Sequence, residues 1–118
     1  MSEEVAAGRE LDALVAEKVM GLLATTGGSG AKTNYYARSS EVAPWENTPH
    51  YSTDIAAAWL VVEAMAGRDM QLSLDMFGGD PWWAEFADRQ YVKGAQATAT
   101  TAPHAICLAA LKAMEHIV

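Results

Sequence analysis

Met70-Gln71-Leu72-Ser73-Leu74-Asp75-Met76 alternates apolar and polar side chains without a break. A period of two belongs to a strand with one face buried. Gly78-Gly79-Asp80-Pro81 follows as a tight turn, and Trp82-Trp83-Ala84-Glu85-Phe86-Ala87-Asp88 reads as the return strand. Immediately upstream, Ser52 or Thr53 is placed to cap a helix and Asp54 to favour its first turn. Ile55, Trp59, Val62 and Met65 supply that helix with an apolar stripe, which stops near Gly67. A helix feeding an antiparallel strand pair is the motif on which the rest is assembled.

Working outward, Leu11, Leu14, Val15, Val19 and Leu22 recur at steps of three and four, with Glu10, Asp12, Glu17 and Lys18 between them. This predicts a first helix over residues 9–20 that stops at Gly21. Residues 25–33, rich in Gly, Ser and Thr, read as a loop, and Asn34-Tyr35-Tyr36-Ala37-Arg38 as a strand paired with residues 22–25. Pro44 and Pro49 make residues 41–50 a connection, and the small polar residues 90–100 a second one. Thr101 caps a last helix that tolerates Pro103 in its first turn and buries Ile106, Ala110, Leu111 and Met114. The order is helix, two strands, helix, two strands, helix. It predicts an α+β domain spanning residues 1–118, an antiparallel four-stranded sheet packed with helices as an alpha-beta-alpha sandwich. Residues 52–65 and 101–114 align without gaps, a weak internal repeat in which Ala56 matches Ala105 and Met65 matches Met114.

Composition narrows the function classes. The 118 residues carry a net charge of -7 and are 51% hydrophobic, yet 23 of them are alanine. Alanine buries little area, so a core this thin calls for a partner, and a homo-oligomer is expected. The acidic balance disfavours duplex nucleic acid and anionic membrane surfaces. No segment has the roughly 18 uninterrupted apolar residues of a membrane span, and Glu3 and Glu4 stand where a secretory signal needs positive charge. The lone Cys107 sits in an apolar run as a small core side chain, in keeping with a reducing cytoplasm.

Few residues assemble into catalytic patterns. Gly27-Gly28-Ser29-Gly30-Ala31-Lys32-Thr33 approaches a phosphate-binding loop, but Thr26 and Ala31 replace required glycines and an aromatic strand follows where a helix is needed. Lys32 and Thr33 could still close over an anion. His50, His104 and His116 lack metal-ligand spacing, so neither metal nor cofactor is expected. Asp75, Asp80, Glu85 and Asp88 offer carboxylates without a nucleophile, and no enzyme is read from them. The informative set is aromatic and cationic: Tyr35, Tyr36, Trp45, Trp82, Trp83 and Tyr91 with Lys32, Arg38, Arg89 and Lys93. Trp82 and Trp83 must point to opposite sides of their strand, so one joins the core and the other faces solvent or a partner. An indole stacked on a purine, with cations on the phosphates, explains such a set, as does an oligomer interface. The last helix adds backbone donors for an anion at Thr100, Thr101 and His104.

Three stretches carry a resemblance. They are Gly8-Arg9-Glu10-Leu11-Asp12-Ala13-Leu14-Val15-Ala16-Glu17-Lys18-Val19-Met20-Gly21, Pro49-His50-Tyr51-Ser52-Thr53-Asp54-Ile55-Ala56-Ala57-Ala58-Trp59, and Thr101-Ala102-Pro103-His104-Ala105-Ile106-Cys107-Leu108-Ala109-Ala110-Leu111-Lys112-Ala113. Together the chain resembles the small phage and prophage proteins of the phage ABA-sandwich domain, departing from their pattern in residues 22–47 and 77–100. The resemblance extends to Thoeris anti-defence sponges, which bind cyclic ADP-ribose isomers or cyclic oligonucleotides. It implies a non-enzymatic protein of the host cytoplasm that sequesters a small signalling nucleotide. The ligand-binding candidates, taken from the aromatic-cationic reading, are Lys32, Tyr35, Tyr36, Arg38, Trp82, Trp83, Arg89, Thr100, Thr101 and His104. The alternative is an interaction module that grips a host or phage protein through exposed aromatics.

Overall fold

A computed structural model describes residues 6–28, 33–76, 81–88 and 94–117. Chain order is α1 (Arg9–Lys18), β1 (Leu23–Gly27), β2 (Asn34–Arg38), β3 (Glu46–Asn47), α2 (Ile55–Ala66), β4 (Met70–Met76), β5 (Trp82–Asp88), β6 (Ala95–Ala99) and α3 (Ala102–Ile117). A helix followed by an antiparallel three-stranded meander thus occurs twice, and α3 closes the chain. The α+β class and both strand pairs agree with the sequence; Gly21 at φ 72 ends the first helical segment as expected. The turn at residues 78–80 lies outside the described residues.

The single four-stranded sheet is not formed. Instead β1-β2-β3 and β4-β5-β6 are separate sheets, because each hairpin completes itself with a strand from a segment read as connection. Glu46 and Asn47 pair with Ala37 and Tyr36, too short a ladder to leave a periodic trace. Ala95, Ala97 and Ala99 alternate with Gln96 and Thr98, but alanine is a poor strand former and hides the period. What makes β6 a strand is tertiary: Ala95 and Ala97 are buried under α3. Contacts then run from sheet to helix to helix to sheet: α1 packs on β1 and β2, α3 on β5 and β6, and α1 on α3.

Helix α3 is the centre. Ala105, Ile106, Cys107, Leu108, Ala109 and Ala110 are all buried, a wider sector than the expected stripe of Ile106, Ala110, Leu111 and Met114, of which Leu111 and Met114 are half-buried. Helix α2 corrects another expectation. It buries Ala58, Val61 and Met65, whereas Ile55 and Trp59 remain about half exposed. Its sequence is apolar on every side, so periodicity could not choose the buried side. Its N-cap is Asp54, which accepts from the backbone N–H of Ala56 at 3.0 Å, rather than Ser52 or Thr53.

Gly94 leads into β6 where no Cβ fits: one would lie 2.6 Å from the Phe86 carbonyl oxygen and 2.8 Å from Ala87 Cβ. Gly94→Ala is therefore expected to lower stability by about 1–3 kcal/mol, measured by denaturant titration, through separation of β6 from β5.

Candidate functional site

The most tightly bonded polar group joins α1 to the approach to α2. Asp12, read from its spacing as an outward residue of the first helix, is fully buried. Its Oδ1 accepts the Ser52 hydroxyl at 2.6 Å and the Ser52 backbone N–H at 2.8 Å, while Oδ2 accepts Arg9 Nη1 at 2.8 Å. The Ser52 hydroxyl oxygen in turn accepts the Gly8 N–H at 2.9 Å, and Arg9 Nη2 donates to the Thr48 carbonyl at 2.6 Å. Buried charge persists only when paired and bonded in this way. Ser52, Asp12 and His50 do not form a nucleophilic triad. The serine hydroxyl is spent on the carboxylate and buried, and His50 Nδ1 stands 4.0 Å from Asp12 Oδ2.

Burial, with a smaller contribution from Asp12, pushes the Cys107 thiol well above its ordinary value of 9.0. Burial, then Asp12, then Cys107 likewise raise Tyr51 above 10.0. An inert protonated thiol is structural, as the apolar run around Cys107 implied.

The candidate ligand residues fall into two groups. On the first sheet, Tyr35 and Tyr36 point to opposite faces. Tyr35 lies on the α1 side, with the Arg9 guanidinium carbon 5.9 Å from its ring centroid. Tyr36 shares the outer face with Arg38, and Gly27 leaves room for its ring. Arg38 stacks over Trp45 at 4.2 Å and lies opposite Leu23 across the β1–β2 ladder. The result is an outer surface of Leu23, Tyr36, Arg38 and Trp45, with Trp45 41% exposed. Arg38 Nε is buried with no hydrogen-bond partner among the described residues.

The second group sits at one end of the other sheet. Trp82 pairs with Ala99 and packs against the core, and Thr100 and Thr101 follow at once, with His104 in the first turn of α3. Trp83 is on the opposite face, where Nε1 makes a long 3.4 Å contact to Gln96 Oε1, and Gln96 Nε2 donates to Glu85 Oε2 at 3.1 Å. Opposite Trp83 stand Asp75 on β4 and Thr98 on β6, so no carboxylate faces another directly across the described ladder. Tyr35, Tyr36 and Arg38 are thus on one sheet and Trp82 and Trp83 on the other, with helices between. Lys32, Asp80, Arg89, Tyr91 and Lys93 lie outside the described residues. Sequence reasoning missed the pairing of Arg38 with Trp45, because β3, which starts at the next residue and fixes where Trp45 lies, has no signal of its own. Among the described residues no group of His, Cys, Asp or Glu is arranged to hold a metal, and no helix is long and apolar enough to cross a membrane.

Two outcomes are expected. Asp12→Ala removes the acceptor for two Ser52 donors and for Arg9, and should cost about 3–5 kcal/mol in thermal or denaturant unfolding, the range for breaking a buried pair from one side. Because Tyr51 and Cys107 keep their protons longer in the folded chain than in the unfolded one, their contribution is fully present below pH 9 and is lost as pH rises past their unfolded values of 9.0 and 10.0. Melting temperature should therefore fall above that pH, and the fall should be shallower in Cys107→Ala.

Comparison with known proteins places this geometry. A crystal structure of a phage protein from Bacillus cereus ATCC 14579 superposes with a TM-score of 0.70 over 96% of this chain and 97% of that one, at 20% identity, a likeness of fold alone. None of the curated proteins compared with the chain matches it. The pattern of the phage ABA sandwich domain matches residues 13–111. Spanning most of the length, that match shows that the chain belongs to the phage ABA sandwich domain family.

Proposed function

We propose that this protein captures a small cyclic nucleotide or cyclic ADP-ribose-type immune signal in the host cytoplasm, without turning it over, and does so as a homo-oligomer. The observation that carries the reading is the Arg38–Trp45 stack at 4.2 Å on the outer face of the first sheet, beside Tyr36. A base laid on an exposed aromatic gains about 1–3 kcal/mol from stacking. The guanidinium alongside supplies the fork of donors that a phosphate takes. One guanidinium set beside aromatic rings meets a compact anion even on a chain of net charge -7, where a long polyanion is repelled. Trp83, on the outer face of the second sheet, is a second place for base stacking. The buried, protonated Cys107 and the engaged Ser52 hydroxyl support capture over catalysis.

The test incubates the protein with a panel of cyclic nucleotides and ADP-ribose isomers, filters, then heats the retained protein and analyses what it releases. Depletion followed by release of intact nucleotide is the expected result, and Arg38→Ala or Trp45→Ala should each weaken retention by about tenfold or more. Trp83→Ala separates the two surfaces: retention lost there, but kept in both other variants, moves the site to the second sheet. An altered product would make the protein an enzyme. No depletion across the panel, together with recovery of a specific protein partner that Trp45→Ala releases, would replace this reading by that of a protein-binding module.

A further inference from the structure

Among the described residues the second sheet ends at β4 on one side and β6 on the other, and the two edges are not alike. On β6 the Gln96 carbonyl accepts Lys112 Nζ at 3.2 Å, and a lysine set over an edge obstructs further pairing. On β4 seven residues run without Lys, Pro or Gly, and Asp75 is the one charge. A strand of that length and composition is a template for another strand. Helix α2 packs against β4, and its unburied side carries Ile55, Trp59 and Leu60 at 51%, 50% and 45% exposure, with Glu63 its one charged residue. A helix with one charged residue and apolar side chains on nearly every side belongs in an interior. The open edge and the apolar helix are neighbours, and Met76 at the end of β4 is also about half exposed.

We propose that a second copy of this chain occupies this place, its β4 pairing antiparallel with β4 about a two-fold axis at Ser73, and its α2 packing against α2. The two three-stranded sheets become one of six. This gives an interface to the self-association in the reading above, and it stands whether or not a nucleotide binds. A contact of identical surfaces obeys two-fold symmetry, and a strand paired with itself about such an axis is antiparallel, the pattern the sheet already has. Centred on Ser73, the register uses all seven residues and is self-complementary. Met70 meets the partner's Met76 and Leu72 meets the partner's Leu74 on the face where Met70, Leu72 and Leu74 pack against the core. On the outer face Gln71 meets the partner's Asp75, an amide donor against a carboxylate, and Ser73 meets the partner's Ser73.

The exposed apolar area covers the larger part of what a dimer needs. Half of a tryptophan, an isoleucine, a leucine and a methionine amounts to roughly 300–400 Å² per copy. A standard interface buries about 800 Å² per partner, of which about 65% is apolar in homodimers. These four residues thus provide more than half of the apolar requirement, and the strand edge adds backbone hydrogen bonds that are otherwise left to water.

The experiment is light scattering after size exclusion on the full chain, with no nucleotide present and protein up to about 100 µM to drive mass action. The expected mass is twice 12.6 kDa. Gln71→Glu sets carboxylate against carboxylate at two symmetric positions and should weaken the dimer on the order of tenfold, and Gln71→Glu combined with Asp75→Lys should restore it. Trp59→Lys should weaken it as well. Circular dichroism melts on each variant separate lost association from lost folding. A wild-type mass of 12.6 kDa throughout that range, or a dimer whose dissociation constant is unmoved by Gln71→Glu, overturns the proposal. Nucleotide capture is scored separately on the same samples, so either result can fail alone.

Discussion

Close approach through alanine is the constraint on which this molecule rests. Helix α3 lies against α1, α2, β5 and β6 at once, and only a surface of methyl groups lets four elements come that near one helix. Ala105, Ala109, Ala110 and Ala113 on the helix share one buried cluster with Ala84, Ala95 and Ala97 of the second sheet, and Phe86, Ile106 and Leu108 belong to it as well. A core of small side chains gains less per residue from burial than one of leucine and phenylalanine, so it depends on tight packing without voids. Gly94 belongs to the same economy, since even a methyl group there would meet the β5 backbone.

A thin core also explains why a charged cluster is tolerated beside it. Asp12 draws α1 and the segment before α2 together through Ser52, Gly8 and Arg9, and Arg9 continues to the Thr48 carbonyl and the ring of Tyr35. These bonds tie the first sheet to the helices by direction where hydrophobic area is scarce. Such a network specifies one arrangement because every alternative leaves a buried carboxylate unpaired. The outer face of the first sheet thereby carries Arg38 on β2 and Trp45 just before β3, two side chains that the β2–β3 pairing brings together.

The repetition of helix plus three-stranded meander distributes roles. The first unit carries the stacked arginine and tryptophan on an outer sheet face; the second carries the open β4 edge and the apolar side of α2. The proposed capture surface and the proposed self-association surface thus lie in different units of the same fold, and the family match over residues 13–111 extends over both.

Much of this was legible from residues alone. The strict alternation of Met70–Met76, the aromatic run of β2, the return strand Trp82–Asp88 and the helix-stopping Gly21 carry local signals strong enough to name the elements and the α+β class. Opposite orientation of Trp82 and Trp83 follows from strand geometry without any fold. Three features had no local signal. Three of the five residues of β6 are alanine, which prefers helices, and the strand lies under α3; β3 is two residues long; and α2 buries Ala58, Val61 and Met65 although its sequence is apolar nearly all round. Asp12 was misplaced for a related reason: a carboxylate at that spacing belongs outside unless Ser52, forty residues on, is present to receive it. Local chemistry determined the elements, and packing between distant segments decided their partners, because alanine and a paired charge acquire their preference only from what is placed against them.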